Sequence, residues 1–241
     1  MTDDVLLNVT DLGKRFGGFV ALESIALAVR DGERVGLIGP NGSGKSTLVN
    51  CMCGTLRNEA GSVGFAGQTL DGLSAHERTR LGLARTFQLP RPFNTLTLAE
   101  NLRVPLLYAG RHAATHGIDE RCIELLHTVG LAEKARRLPR DLTQIEMRKL
   151  ELARAMAASP RLLIADEAMA GLSHNEVDDI LALLIRLNEQ GVTIILIEHI
   201  MRAVLHFSQR LVVLVAGRKI ADGDPAQVVR DPEVVRAYLG E

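Results

Sequence analysis

The chain has no long hydrophobic run. Its longest apolar stretches, VTIILI and LVVLVA, are about a third of the length that a membrane-spanning helix needs. The first ten residues, MTDDVLLNVT, are acidic and too short in apolar length for a secretory signal. The sequence therefore predicts that this chain does not itself cross a membrane, although it can dock on a protein that does.

The chain also lacks an excess of either charge. It has 28 Lys and Arg against 29 Asp and Glu, for a net charge of −1, without the basic stripe typical of nucleic-acid binding. Only three cysteines are present. Cys51 and Cys53 point to different faces of a predicted helix, which is poor geometry for a metal, and Cys122 stands alone. This sparse, odd set does not predict a disulfide framework and fits a reducing cytoplasm.

The order of predicted strands and helices indicates the fold class. The buried strands ERVGLIG, LLIA and VTIILI alternate with helical stretches, which predicts a mostly parallel sheet. The N-terminal runs VLLNVT and SIALAVR alternate apolar and polar residues, which predicts an added antiparallel sheet. Residues 61–88 contain further β segments punctuated by glycine. We expect one α/β domain over 1–241, in which approximately 1–88 and 160–241 form a core with its β subdomain and approximately 89–159 form an inserted helical subdomain.

A phosphate-binding motif lies between a predicted strand and a predicted helix. Residues 39–46 read GPNGSGKS and match G-x-x-x-x-G-K-[ST] in full, which predicts the core fold of a P-loop nucleotide triphosphatase. Its glycines let the backbone N–H groups surround the phosphates at a helix N-terminus. Lys45 can reach the β- and γ-phosphates, and Ser46 can ligate Mg²⁺. The predicted nucleotide-binding residues of this segment are Gly39, Pro40, Asn41, Gly42, Ser43, Gly44, Lys45, Ser46 and Thr47.

Two acidic residues and a histidine follow later strands. Asp166 and Glu167 end the strand LLIA, and His199 ends the next strand. Two acids after a strand are more often solvated, and a lone histidine is more often structural. After a complete phosphate-binding loop, however, we expect these strand ends to gather at the ligand edge of a parallel sheet. Asp166 then suits the Mg²⁺ side, and Glu167 suits activation of the attacking water.

Taken together, these motifs resemble the ATP-binding subunit of an ABC transporter over nearly the whole chain. The resemblance implies ATP and Mg²⁺ as cofactors and assigns further roles. Phe16 stands at the family's spacing for the aromatic ring that stacks on adenine, with a core phenylalanine as the alternative. Gln88 in RTFQ stands where the family has a glutamine that contacts metal and water and links to the membrane subunit. The implied metal set is Ser46, Gln88 and Asp166, and the implied catalytic set is Glu167, His199 and Gln88.

Residues 142–146, LTQIE, stand where the family has the signature LSGGQ, which contacts the nucleotide of a partner subunit. An ordinary helix start is the alternative. Thr143 keeps the hydroxyl that the family's serine offers to the γ-phosphate. Gln144 and Ile145 replace two glycines, and we expect their side chains to occupy the space in front of the turn. The resemblance therefore implies reduced activity in isolation and favours a heterodimer over a homodimer.

The branch of the family that serves branched-chain amino acid import is the most similar, through NLRVPLL, KLELARAM, LIEHIM and the ending VVRAYLGE. Ala168, Ser173 and Ile200 depart from the residues that are usual in the family. The branch implies import of a small polar solute, with a second ATPase subunit, two integral permeases and an external solute-binding protein as partners and no nucleic acid. It also implies a cytoplasmic position on the inner face of the plasma membrane. The alternatives are an exporter ATPase for a lipid or glycolipid and a soluble ABC ATPase that acts on DNA or ribosomes.

Overall fold

The computed structural model describes residues 4–109 and 117–239. The strands within these ranges are β1 (Val5–Phe16), β2 (Phe19–Arg30), β3 (Arg34–Ile38), β4 (Ala60–Phe65), β5 (Gln68–Thr69), β6 (Leu83–Arg85), β7 (Leu162–Asp166), β8 (Thr193–Ile197), β9 (Arg210–Val215) and β10 (Arg218–Gly223). The α-helices are α1 (Lys45–Met52), α2 (Ala75–Arg80), α3 (Leu98–Tyr108), α4 (Ile118–Thr128), α5 (Gln144–Met156), α6 (His174–Glu189), α7 (Met201–Phe207), α8 (Pro225–Val228) and α9 (Pro232–Leu239).

The N-terminal strands form a four-stranded antiparallel sheet in the order β2-β1-β4-β5. This confirms the predicted antiparallel sheet, but β1 and β2 are each 12 residues long, longer than the alternating runs that predicted them. β1 extends beyond its alternating segment because shifts in register around Leu12 and Lys14 let it keep its pairing with β2.

The second sheet has six strands in the order β10-β9-β3-β8-β7-β6. Five of them are parallel, and β10 pairs with β9 as an antiparallel hairpin. β3, β7 and β8 are neighbours at the centre, and the phosphate loop, the acidic pair and His199 follow directly after their C-terminal ends. The predicted parallel core is therefore confirmed, and it brings three sequence-distant segments to one edge.

The helices follow the predicted order, with two differences. Residues 61–88 contain α2 in addition to β segments, because Ser74 and Glu77 form a capping box at its start. The C-terminal segment AQVVRDPEVVRAYLG, whose apolar spacing predicts one helical tail, is split into α8 and α9, with Pro232 opening the second helix. The last two residues of the ending VVRAYLGE lie outside the described residues.

Buried apolar residues cover both faces of the parallel sheet. One cluster lies between this sheet, the antiparallel sheet and α1 and includes Leu37, Leu48 and Phe65. The other joins α3, α4 and α5 to α6 and the opposite face and includes Leu126 and Leu150. The three cysteines are buried and unpaired. Within the described ranges, no helix has the length and apolar character needed to span a bilayer.

Candidate nucleotide site

The phosphate loop requires glycine at two positions for steric reasons. A Cβ atom added at Gly39 would lie 2.1 Å from the backbone oxygen of Leu214, and one added at Gly44 would lie 2.8 Å from the backbone oxygen of Ala21. Gly44 also has φ +103 and directly precedes α1. The loop is therefore clamped between β9 and β2, with the N-terminus of α1 behind it.

The ammonium group of Lys45 lies over this loop. Its Nζ donates to the backbone oxygens of Gly39 at 2.7 Å and Pro40 at 3.0 Å. Burial lowers the pKa of Lys45, and the negative charges of Glu167 and Asp166 act in the opposite direction. The ammonium group of Lys45 is thus held by the carbonyl groups of its own loop.

Glu167 lies between two other predicted catalytic residues. Gln88 Nε2 donates to Glu167 Oε2, and His199 Nε2 lies 3.0 Å from Glu167 Oε1. The three side chains come from the segments that follow β6, β7 and β8. Glu167 has φ +48, an unusual backbone conformation for a residue with a side chain. Its carboxylate is therefore fixed on both oxygens in a geometry suited to orienting a water molecule.

Asp166 is held by residues that the sequence analysis did not identify. Arg85 Nη2 lies 3.1 Å from Asp166 Oδ2, and Arg85 Nη1 donates to Asn50 Oδ1 on α1 at 2.6 Å. The backbone N–H of Asp166 donates to Thr86 Oγ1 at 3.1 Å. Burial raises the pKa of Asp166, while the Arg85 guanidinium lowers it. Arg85 and Thr86 belong to LARTFQ, but only the pairing of β6 with β7 brings them to the acidic pair.

Phe16 lies at the rim of a cavity of about 250 Å³ that is also lined by the phosphate loop, Glu167 and His199. Its side chain is 48% exposed, and the ammonium of Lys14 lies 5.3 Å from its ring centroid. Phe16 is therefore not a core residue. A second ring, Phe19, lines the same cavity and is 63% exposed; the sequence analysis missed it because the β1–β2 turn alone brings it there.

Thr143 caps the start of α5. The backbone N–H of Thr143 donates to Glu146 Oε2 at 3.0 Å, and Thr143 Oγ1 accepts from the backbone N–H of Glu146. Glu146 also pairs with Lys134 at 2.6 Å, so its negative charge is neutralised beside the turn. The segment 142–146 is thus a helix start in this chain, and it lies outside the lining of the cavity described above. The assignment of Thr143 to a partner's nucleotide stays a prediction.

The side chains that replace the two glycines both contact their own chain. Gln144 Nε2 donates to the backbone oxygen of Ala170 at 3.2 Å and covers Gly171, where an added Cβ would come within 2.4 Å of it. Ile145 packs against the core of the helical region. Each side chain therefore has a contact within its own chain, and the expectation that both also occupy the space in front of the turn stays a prediction.

The oxygen donors near the acidic pair fit a magnesium ion. Asp166 Oδ1 remains after Oδ2 is bound to Arg85, and the Gln88 amide oxygen remains because its nitrogen donates to Glu167. The Ser46 hydroxyl is on the cavity lining. Oxygen ligands of this kind suit Mg²⁺, which ordinarily completes its shell with phosphate oxygens and water.

Comparison with known proteins extends the agreement to nearly the whole chain. The family described as "ABC transporter" matches residues 22–170, and the one described as "Branched-chain amino acid ATP-binding cassette transporter" matches residues 218–241. The chain is 38% identical to the high-affinity branched-chain amino acid transport ATP-binding proteins BraF of Pseudomonas aeruginosa and LivG of Escherichia coli K12, with 98% of each chain covered.

Solved structures of ABC transporter cassettes have the same fold as this chain. A nucleotide-free ATP-binding cassette from an ABC transporter superposes with a TM-score of 0.90 at 30% identity, covering 98% of this chain and 100% of that one. A dimeric cassette bound to ADP and phosphate superposes with a TM-score of 0.81 at 26% identity, covering 91% of this chain and 99% of that one. The chain therefore belongs to the ABC transporter family, as one of its ATP-binding and ATP-hydrolysing cassettes.

Proposed function

We propose that this chain is the ATPase subunit of a transporter that imports a branched-chain or related amino acid. The main observation behind the proposal is that Gln88 and His199 both contact the Glu167 carboxylate, beside a complete phosphate loop. The full-length similarity to two branched-chain amino acid transport ATP-binding proteins supports the choice of cargo. The proposed position is peripheral, on the cytoplasmic face of the plasma membrane.

The geometry supports a direct mechanism. The phosphate loop and Lys45 bind the β- and γ-phosphates, and Phe16 contacts the adenine ring. Glu167, fixed through both carboxylate oxygens, accepts a proton from the attacking water, while His199 and Gln88 hold that carboxylate in place. Bound Mg²⁺ would be held by Ser46, Gln88 and Asp166 and would neutralise phosphate charge.

We further propose that the chain works with a different ATPase subunit. Its phosphate loop is complete, whereas its signature turn has lost two glycines. The turn still presents the Thr143 hydroxyl, but Gln144 and Ile145 tie it to its own chain. A partner that carries a glycine signature would give one fully competent site, built on Ser46 and the acidic pair of this chain. On this proposal, residues 89–159 are the helical unit that presents the signature.

The surface that faces the permeases is proposed to include the segment Gln88–Asn101. A groove beside this segment is lined by Phe87, Phe93 and Tyr108, which are 48%, 42% and 70% exposed. Leu89 is also 70% exposed. Exposed apolar side chains in this number mark an interaction surface. Phe87, Leu89 and Phe93 lie within five residues of Gln88, whose side chain touches Glu167.

A gentle purification of the tagged chain from membranes tests the proposal. Two integral permeases and a second cassette should co-purify, and ATP hydrolysis by the reconstituted complex should rise when a loaded amino-acid-binding protein is added. A crosslinkable residue at Phe93 or Leu96 should label a permease. Recovery of ribosomes or DNA instead would overturn the transport role, and stimulation by a lipid or glycolipid in the absence of a binding protein would overturn import.

A further inference from the structure

One face of α5 carries three charged side chains spaced three residues apart, Arg148, Glu151 and Arg154. Arg148 is 7% exposed and Glu151 is 6% exposed. Charged side chains are buried to this extent only when they are paired or fully hydrogen-bonded. The hydrogen-bond and ion-pair partners of these three side chains therefore show which parts of the chain this face of α5 contacts.

Arg148 joins two separate loops of the nucleotide site. Its Nη1 donates to the backbone oxygen of Gln88 at 2.6 Å, and its Nη2 donates to the backbone oxygen of Ala170 at 3.2 Å. Gln88 is the residue whose side chain contacts Glu167, and Ala170 follows Glu167 by three residues. A single guanidinium thus links the loop that carries Gln88, residues 86–94, to the loop that follows the acidic pair. Its own helix, α5, begins at the signature turn.

Glu151 and Arg154 lie on the same face of α5 and make further contacts around the loop that carries Gln88. The Glu151 carboxylate pairs with Arg154 at 3.1 Å. Burial raises the pKa of Glu151, whereas Arg154 and the backbone N–H of Phe87 lower it. Arg154 Nη1 donates to the backbone oxygen of Arg91 at 2.9 Å, and the Arg154 Cζ atom lies 5.2 Å from the ring centroid of Phe93. Arg148 and Arg154 hold this loop through the backbone oxygens of Gln88 and Arg91, so these two contacts do not depend on the side chains at those positions.

We propose that Arg148 is a positioning residue that couples the signature turn to the hydrolytic site of its own chain. The proposal rests on the proposed function, because it links the two surfaces used for a partner cassette and a permease. A displacement of the turn at Thr143, or of the loop that carries Phe87 and Phe93, is passed through Arg148 to the Gln88–Glu167 contact. Arg148 does not touch the nucleotide and does not take part in the chemistry.

The choice of arginine follows from its geometry. A planar guanidinium presents several N–H groups in fixed directions, so it can hold two carbonyl oxygens at once. A lysine at the same position has a shorter reach and a single nitrogen. Arg148→Lys should therefore retain only part of the coupling, whereas Arg148→Met, which keeps an unbranched apolar stem, should remove it.

The test combines amide hydrogen exchange with nucleotide binding and turnover. In the purified chain, Arg148→Met should raise exchange in peptides covering 86–94 and 168–172 by about 10-fold or more, with no change over β8. Affinity for ATP should stay within about 2-fold, and turnover should fall about 10- to 100-fold because the Gln88–Glu167 pair is misplaced. Arg148→Lys should lie between the two, and Arg136→Gln, at an exposed position of the same region, should behave as wild type.

Unchanged exchange over 86–94 and 168–172 would overturn the proposal, and so would a loss of ATP affinity as large as the loss of turnover. If Arg148→Met does not fold, Arg148→Lys supplies the same comparison. The exchange measurement uses the chain without permeases, so it can fail while the importer proposal holds. Conversely, the wrong partners in a membrane purification would end the importer proposal and leave the exchange result intact.

Discussion

The phosphate-binding half of the nucleotide site and the signature turn are built in different ways. The first rests on glycines whose positions admit no Cβ atom and on strand ends of the central sheet. The second is a capped helix start in which a glutamine and an isoleucine contact their own chain. On the proposed heterodimer, the first half is constrained by the nucleotide that this chain binds, whereas the second half faces the nucleotide of a partner subunit.

The largest effect is expected from a substitution in the phosphate-binding half of the site. Glu167→Gln removes the carboxylate between Gln88 and His199 while keeping the size of the side chain. Turnover should fall about 10²- to 10⁴-fold because the general base is lost, while equilibrium binding of ATP is retained and an ATP-bound dimer accumulates. Glu189→Gln, an exposed change at the end of α6, is the control. Turnover of the variant within a few-fold of wild type would show that Glu167 is not the general base.

A smaller effect is expected at the rim of the same half. Phe16→Ala removes the exposed ring beside the cavity and should raise the dissociation constant for ATP by about 2- to 10-fold, the range expected for loss of one aromatic stacking contact. Inorganic tripolyphosphate has no base, so its dissociation constant should not change. Isothermal titration of both ligands gives the comparison, and an equal loss for both would show that Phe16 supports the loop rather than the adenine.

The smallest effect concerns the signature helix and depends on pH. Burial raises the pKa of Glu151 in the folded chain, against the opposing effect of Arg154. The stability that this raised pKa contributes is complete below the unfolded pKa and is lost as pH rises through the folded pKa. Relative to wild type, Glu151→Gln should therefore gain in free energy of unfolding as pH rises from about 4 to 8. Urea denaturation across this range measures it, with exposed Glu133→Gln as the control; parallel curves for Glu151→Gln and wild type would contradict it.

The features that could be predicted from the sequence are those formed by residues close together in the chain. The loop 39–47, the acidic pair and the alternation of strands and helices could all be predicted because each is a local pattern. Arg85 and Phe19 could not, since only strand pairing and the β1–β2 turn bring them to the site. The contact of the Gln144 side chain with Ala170, 26 residues away, also could not be predicted from spacing alone. The capping box of α2, Ser74 with Glu77, is also a local pattern that the sequence contains.

The contrast between the two halves is tested most directly by restoring the glycines. Steady-state turnover of the purified chain should be measured for wild type and for Gln144→Gly combined with Ile145→Gly, with Glu167→Gln as the baseline. Removing the contacts that tie the turn to its own chain lets its backbone approach a partner's phosphate. Turnover should therefore rise about 10-fold or more, the value of one charge-assisted hydrogen bond regained. A double variant that folds normally and turns over no faster than wild type would contradict the account.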